Sequence, residues 1–128
     1  IQGINNVVLV SIHSNAAGSG REWMNAKGWS CYTTKGDTKS DTLSECLYDV
    51  FEMAFPERKI RKDYQDGDRD WEANFDLIQK TCCPAVLIEN FFYDNIEECK
   101  WLLHEDVMAR IAIATADGII NYINKVRV

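Results

Sequence analysis

Val7-Val8-Leu9-Val10-Ser11-Ile12-His13 is the stretch that decides how this 128-residue chain folds. Apart from Ser11, the six residues before His13 are aliphatic and mostly β-branched, which leaves no polar face for water. Such a run predicts a strand over residues 7–12 that is buried on both faces, as in a parallel sheet. It ends in His13-Ser14-Asn15-Ala16-Ala17-Gly18-Ser19-Gly20, a loop of small and polar residues.

Working outward, Pro84 opens a second apolar run, Ala85–Ile88, that terminates at Glu89. Residues 29–34, Trp-Ser-Cys-Tyr-Thr-Thr, alternate as a strand does and stop at Lys35-Gly36. A helix follows, capped by Thr38 or Ser40, with Leu43, Leu47, Val50 and Ala54 at helical spacing before Pro56 ends it. Asn74 to Gln79 reads as a further strand, and a short one is expected near Lys59–Arg61. Asn95-Ile96-Glu97-Glu98 starts a helix, with Asn95 as cap and Glu98 at the capping-box position. A last helix runs from about Glu105 to Asn124, its apolar stripe being Met108, Ile111, Ala112, Thr115, Ile119 and Ile123. Strands interleaved with helices predict a single α/β domain over residues 1–128, with helices packed on a mostly parallel sheet.

Composition narrows the partners. A net charge of −6 sets the chain against a phosphate backbone, so nucleic acid is excluded as a partner. Anionic membrane surfaces are disfavoured for the same reason. The longest apolar runs have strand length, far below the roughly 18 residues of a spanning helix, so no membrane insertion is expected. A leader peptide is missing, but the chain begins at Ile1 rather than Met, so that bears little on export. Five cysteines, Cys31, Cys46, Cys82, Cys83 and Cys99, without C-x-x-C spacing argue against a disulfide framework or a structural zinc knot. Several of them sit on apolar stretches and read as small buried hydrophobes.

Two strand ends carry candidate chemistry. Ligands of open parallel sheets bind beyond the carboxyl ends of the strands. His13 and Glu89 each follow directly on a buried run, and together suit a metal ligand and a general base. The same pair would also serve simply to solvate two strand ends. The segment with Asp63, Asp66, Asp68 and Asp70 lacks the glycine placement and closing glutamate of a calcium-binding EF-hand loop, and reads as a solvated loop.

The residues around the pair carry a resemblance. Ser11-Ile12-His13-Ser14-Asn15-Ala16 resembles the Ser-Ile-His-x-Asn-Ala motif of zinc-dependent N-acetylmuramoyl-L-alanine amidases, the amidase type 3 family. Pro84-Ala85-Val86-Leu87-Ile88-Glu89 is similar to that family's Pro-Ala-Val-Leu-x-Glu segment, and Asp94-Asn95 with the helix after it fits too. The resemblance covers nearly the whole chain, in order.

It implies a three-layer α/β/α fold that lacks the family's opening strand and helix, which would precede Ile1. It implies one Zn2+ ion held by His13, Glu89 as the catalytic acid–base, and Asn15 either touching substrate or shaping its turn. The family's other ligands, a histidine and a glutamate, would lie upstream of Ile1; neither His104 nor Glu22 replaces them. The implied substrate is peptidoglycan, cut at the amide between N-acetylmuramic acid and L-alanine, at the bacterial cell wall (secreted, periplasmic or phage-released). Self-association, or pairing with the missing N-terminal segment, is a further implied partnership. One departure stands out: Asn90-Phe91-Phe92 occupies the place of the family's Thr-Gly-Phe. The alternatives are a non-catalytic remnant of that fold without a complete zinc site, and a generic α/β small-molecule binding module. Absence of a Gly-rich phosphate loop counts against nucleotide-binding versions of the latter.

Overall fold

Pro84 has no N–H to give to a ladder, but its carbonyl accepts from Leu9 N at 2.9 Å, and this contact starts the pairing of the two apolar runs. In the computed structural model, which describes residues 7–35 and 38–127, they form β1 (Leu9–Asn15) and β4 (Ala85–Phe92). They pair in parallel, from Leu9 opposite Ala85 to His13 opposite Glu89. β2 (Ser30–Thr33) lies antiparallel on the other side of β4, and the two-residue β3 (Trp71–Glu72) runs parallel to β2. The sheet order is β1-β4-β2-β3, mostly parallel with one antiparallel pair.

Burial differs sharply between the two apolar strands. Every residue of the central β4 is buried except Glu89, which is half-buried. β1 is not buried on both faces as its sequence predicts: it is an edge strand, half-exposed, with Ile12 63% accessible. Among the described residues β4 is its sole neighbour, so the aliphatic run has no strand on its outer side.

Alternation along the strands sorts their side chains to two unequal faces. Val86, Ile88 and Cys31 enter the main core with Trp29, Leu43, Leu47, Tyr48, Phe51 and Phe55. That face is covered by α1 (Lys39–Ala54), α3 (Ile96–Leu102) and α4 (Glu105–Val126). Ala85, Leu87, Leu9 and Tyr32 turn the other way and meet little besides Ile78 of the four-residue α2 (Asp76–Gln79). The third layer is therefore thin.

The caps follow the sequence. Thr38 accepts from Ser40 N while Asp41 Oδ2 takes Thr38 N at 2.6 Å, a complete capping box for α1. Asn95 caps α3 by accepting from Glu98 N. The Glu98 carboxylate does not return to the cap, however; it turns inward to Gly28 N and Phe92 N. Those two bonds lower the energy of a carboxylate whose burial pushes it above the ordinary range.

Four further expectations need correction. The expected strand from Asn74 to Gln79 does not form: residues 76–79 close a helical turn, with Gln79 N bonded to Phe75 O, and strand pairing ends at Glu72 of β3. The contact face of α4 runs through Val107, Ala114, Thr115, Gly118 and Tyr122, leaving Met108 and Ala112 of the expected stripe exposed. Gly118 determines this, because it lets α4 sit directly against Leu47 of α1. Of the cysteines, Cys31 and Cys46 are buried, whereas Cys82 is exposed and Cys83 and Cys99 are half-exposed. The Lys59–Arg61 strand reduces to one bridge, Trp29 with Ile60.

Candidate active site

A polar row crosses three strands. Glu89 has His13 as its parallel register partner and Ser30 as its antiparallel one. Register partners share a face, and two residues earlier on each of β1 and β4 that face holds Ser11 and Leu87. Leu87 and Tyr32 belong to the small cluster, so the row lies on the thinly covered side of the sheet. The Ser11 hydroxyl is 2.7 Å from His13 Nε2, which fixes the ring of an otherwise exposed imidazole.

Glu89 Oε2 is buried and has no hydrogen-bond partner. Burial raises the Glu89 carboxyl above its ordinary value, and the opposing His13 charge pulls it part of the way back. A carboxylate stripped of water and of donors, facing an imidazole, is poised to take up a proton. It is equally able to face a cation held by that imidazole. The pair thus fits a zinc site by donor chemistry, a neutral histidine nitrogen beside an unsatisfied carboxylate.

The rim is built by the turn after β4. Asp94 Oδ2 accepts from Ala17 N and Gly18 N, both at 2.9 Å, and Asp94 O accepts from Met24 N at 2.7 Å. Tyr93 N bonds Asn15 O, so the loop after His13 is tied to the segment after Glu89. A cavity of about 390 Å³ there is lined by Gly20, Arg21, Glu22, Trp23, Tyr93 and Asp94. Asp94, Trp23 and Tyr93 were not singled out as site residues in the sequence; the signal for Asp94 was its place in the resemblance, just after Glu89. A cavity of similar size, about 410 Å³, lies by Thr34, Lys39 and Cys82, at the other end of the strands and away from the row.

The remaining candidates sort simply. Asn15 Oδ1 accepts from Ala16 N, a turn-shaping bond. His104 is the exposed residue before α4 and takes no part in the row. Glu22 is exposed on the cavity rim.

The departure after Glu89 has a structural counterpart. Phe91 adopts φ +62°, the left-handed conformation glycine takes freely, and it stands where the family motif has glycine. Its ring is fully buried edge-on to Phe55 and Trp101. Asn90 Oδ1 accepts from Trp29 Nε1 at 3.1 Å. The β1–β4 register slips at this point, where Asn15 pairs with Phe92.

Known proteins share the sequence pattern and the fold. The family described as N-acetylmuramoyl-L-alanine amidase matches residues 1–121. An endolysin of Bacillus phage SPP1 is 29% identical over 121 residues, which cover 91% of this chain and 40% of the endolysin. The catalytic domain of CwlV, an N-acetylmuramoyl-L-alanine amidase from Bacillus (Paenibacillus) polymyxa var. colistinus, is 32% identical with a TM-score of 0.73, over 91% of this chain and 57% of that one. The CwlD amidase of Clostridioides difficile, solved in complex with the GerS lipoprotein, is 28% identical with a TM-score of 0.72, over 95% and 57%. The chain thus spans 40% of the endolysin and 57% of each of these two structures. By sequence match over nearly its full length and by fold, the chain belongs to the N-acetylmuramoyl-L-alanine amidase family.

Proposed function

We propose that this chain is the Glu89-bearing part of a peptidoglycan hydrolase that cuts the amide between the lactyl group of N-acetylmuramic acid and L-alanine. The observation that carries the reading is the in-register pair of His13 with a half-buried Glu89 whose Oε2 has no donor. In this reading His13 is one ligand of a Zn2+ ion. The remaining ligands come from the part of its relatives' length that this chain does not span. When bound, zinc would acidify water toward pKa ~7 and polarise the lactyl carbonyl.

Glu89 accepts the proton of the attacking water and returns it to the alanine nitrogen as the amide breaks. Its raised proton affinity suits both steps, because a carboxylate at the ordinary value would hold the proton too weakly to deliver it. Ser11 keeps the His13 ring oriented. The Asp94-tethered loop forms the rim where muramyl peptide lies, with Asn15 fixing its first turn. The site of action is the bacterial cell wall, and no helix among the described residues is long and apolar enough to cross a membrane.

The test is release of stem peptide from muramyl peptides by the whole protein and its Glu89→Gln variant. Turnover by the variant at the parent rate would remove Glu89 from the mechanism. A second reading, a non-catalytic form of the same fold, draws on β1: among the described residues its outer edge and Ile12 are exposed, and it carries a single family ligand. We propose that this edge pairs with the N-terminal segment or with a second copy, since an open apolar edge recruits a strand.

A further inference from the structure

The acidic segment is solvated over residues 64–67 but not at its end. Asp70 is 1% exposed, although it belongs to the Asp66-Gly67-Asp68-Arg69-Asp70 run. Thr33 Oγ1 donates to Asp70 Oδ2, but Asp70 Oδ1 and Asp68 Oδ1 are both buried and accept no hydrogen bond. Burying an unsatisfied carboxylate oxygen is among the costlier arrangements in a protein, and here two occur side by side. The cation between them in sequence is directed elsewhere: Arg69 reaches across to Glu45, Asp49 and Glu52 on α1. The charges acting on Asp68 and Asp70 from their surroundings are those of Asp66 and Asp41, of the same sign.

We propose that Asp41, Asp68 and Asp70 form a cation site that takes Ca2+, separate from the His13–Glu89 centre. One oxygen from each of the three carboxylates lies within 4.8 Å of the others. Oxygens bound to one Ca2+ at about 2.3–2.6 Å are at most roughly 5 Å apart, so this spread fits a single coordination sphere. Three hard oxygen donors with no imidazole or thiolate select against zinc. Ca2+ also tolerates irregular geometry and completes its shell with water, whereas Mg2+ demands a near-ideal octahedron.

The location separates this site from the catalytic row. Ser30 pairs with Glu89, and Thr33 lies three residues further along β2, about 10 Å away toward the opposite end of β4. The ion would join the first turn of α1, through Asp41, to the segment leading into β3. It would thereby hold the short outer strand to the helix layer.

Calorimetric titration of the metal-free chain with CaCl2 at about pH 7.5 should show one site, in the roughly 10⁻⁴–10⁻³ M range of extracellular calcium modules. Saturating CaCl2 should raise the melting midpoint. Asp68→Asn should abolish the calcium heat and melt above the parent in chelator at pH 8, because it removes the repulsion without a metal. Asp117→Asn, on the exposed side of α4, should keep the full calcium response. No calcium heat and no midpoint shift in the parent chain would overturn the proposal. A calcium response that survives in Asp68→Asn would overturn the assigned ligands. The titration of the parent is decisive even where a variant fails to fold.

Discussion

His13 and Glu89 are register partners across the parallel β1–β4 pair, and Glu89 is the half-buried position of an otherwise buried central strand. The apolar run that makes β4 central also desolvates the carboxylate at its end. Sheet burial and proton affinity therefore have one cause, and the predictions below separate its consequences.

Glu89→Gln should lower release of stem peptide by the whole protein about 10²–10⁴-fold, the usual range for an acid–base group, while the fold persists. Stability should move the other way. Burial raises the folded-state pKa of Glu89, so the parent loses stability as pH climbs from about 4.5 through that raised value. The amide does not titrate. Thermal melts of the two metal-free chains from pH 4 to 8 should show a gap in favour of the variant that widens with pH. A gap constant with pH would mean that the carboxyl is not desolvated.

If His13 is a zinc ligand as proposed, His13→Ala should remove zinc binding by this chain, while His104→Ala, at the exposed start of α4, should leave it unchanged. One imidazole holds zinc weakly compared with the three protein ligands of a catalytic site. We expect calorimetry to give weak zinc binding by the 128-residue chain and tight binding once the family's other ligands are supplied in trans or in the whole protein. Sub-micromolar affinity in the chain alone would show that other residues here complete the site.

Phe91→Gly sets backbone against side chain. Glycine would relieve a left-handed conformation that costs a non-glycine residue about 1–2 kcal/mol. It would also delete a fully buried ring packed edge-on against Phe55 and Trp101, a loss of about 3–5 kcal/mol for phenylalanine truncations. Packing wins, and urea unfolding should show a net loss of about 2–3 kcal/mol. A stabilised variant would mean that the ring contributes little to the core.

These residues also show what was legible in the sequence. The parallel run of β1 and β4 towards one sheet edge, a cap for α1 at Thr38 or Ser40 and the meeting of His13 with Glu89 followed from apolar runs, polar stops and motif resemblance, all of them local signals. The exposure of β1 did not follow, because burial on a second face depends on a neighbour and not on the strand's own residues. Glu98 looked like half of a capping box and instead serves Gly28 and Phe92, 70 and 6 residues away. Asp70 looked solvated because its neighbours are charged, yet the pairing of Trp71 with Tyr32 draws it under the sheet edge. The rim residues Trp23 and Tyr93 were missed because what joins them is the long-range tether of Asp94 to residues 17 and 18.

Gly118→Ala tests the contact that sets the α1–α4 layer. Glycine within the 22-residue α4 costs helix stability, about 1 kcal/mol relative to alanine, so on helix propensity alone the substitution should stabilise. The helix is not alone. A Cβ at Gly118 would stand 2.6 Å from Leu47 Cδ2 and 3.1 Å from Leu47 Cα. The Leu47 methyl is the end of a side chain, but that side chain is fully buried in the main core and has nowhere to rotate without displacing its neighbours. The Leu47 backbone cannot rotate away at all, so α4 has to shift outward by a few tenths of an ångström. That movement would loosen Ala114 and Tyr122, which line the same contact face. Overpacking typically costs about 1–3 kcal/mol, enough to offset the propensity gain, so a net loss of up to about 2 kcal/mol is expected. Denaturant unfolding of the variant should show the lower midpoint with an unchanged slope. The exposed Ala112→Gly change on the same helix provides the calibration, since it should lose about 1 kcal/mol by propensity alone. A Gly118→Ala chain more stable than the parent would mean that α4 does not rest on Leu47 as described.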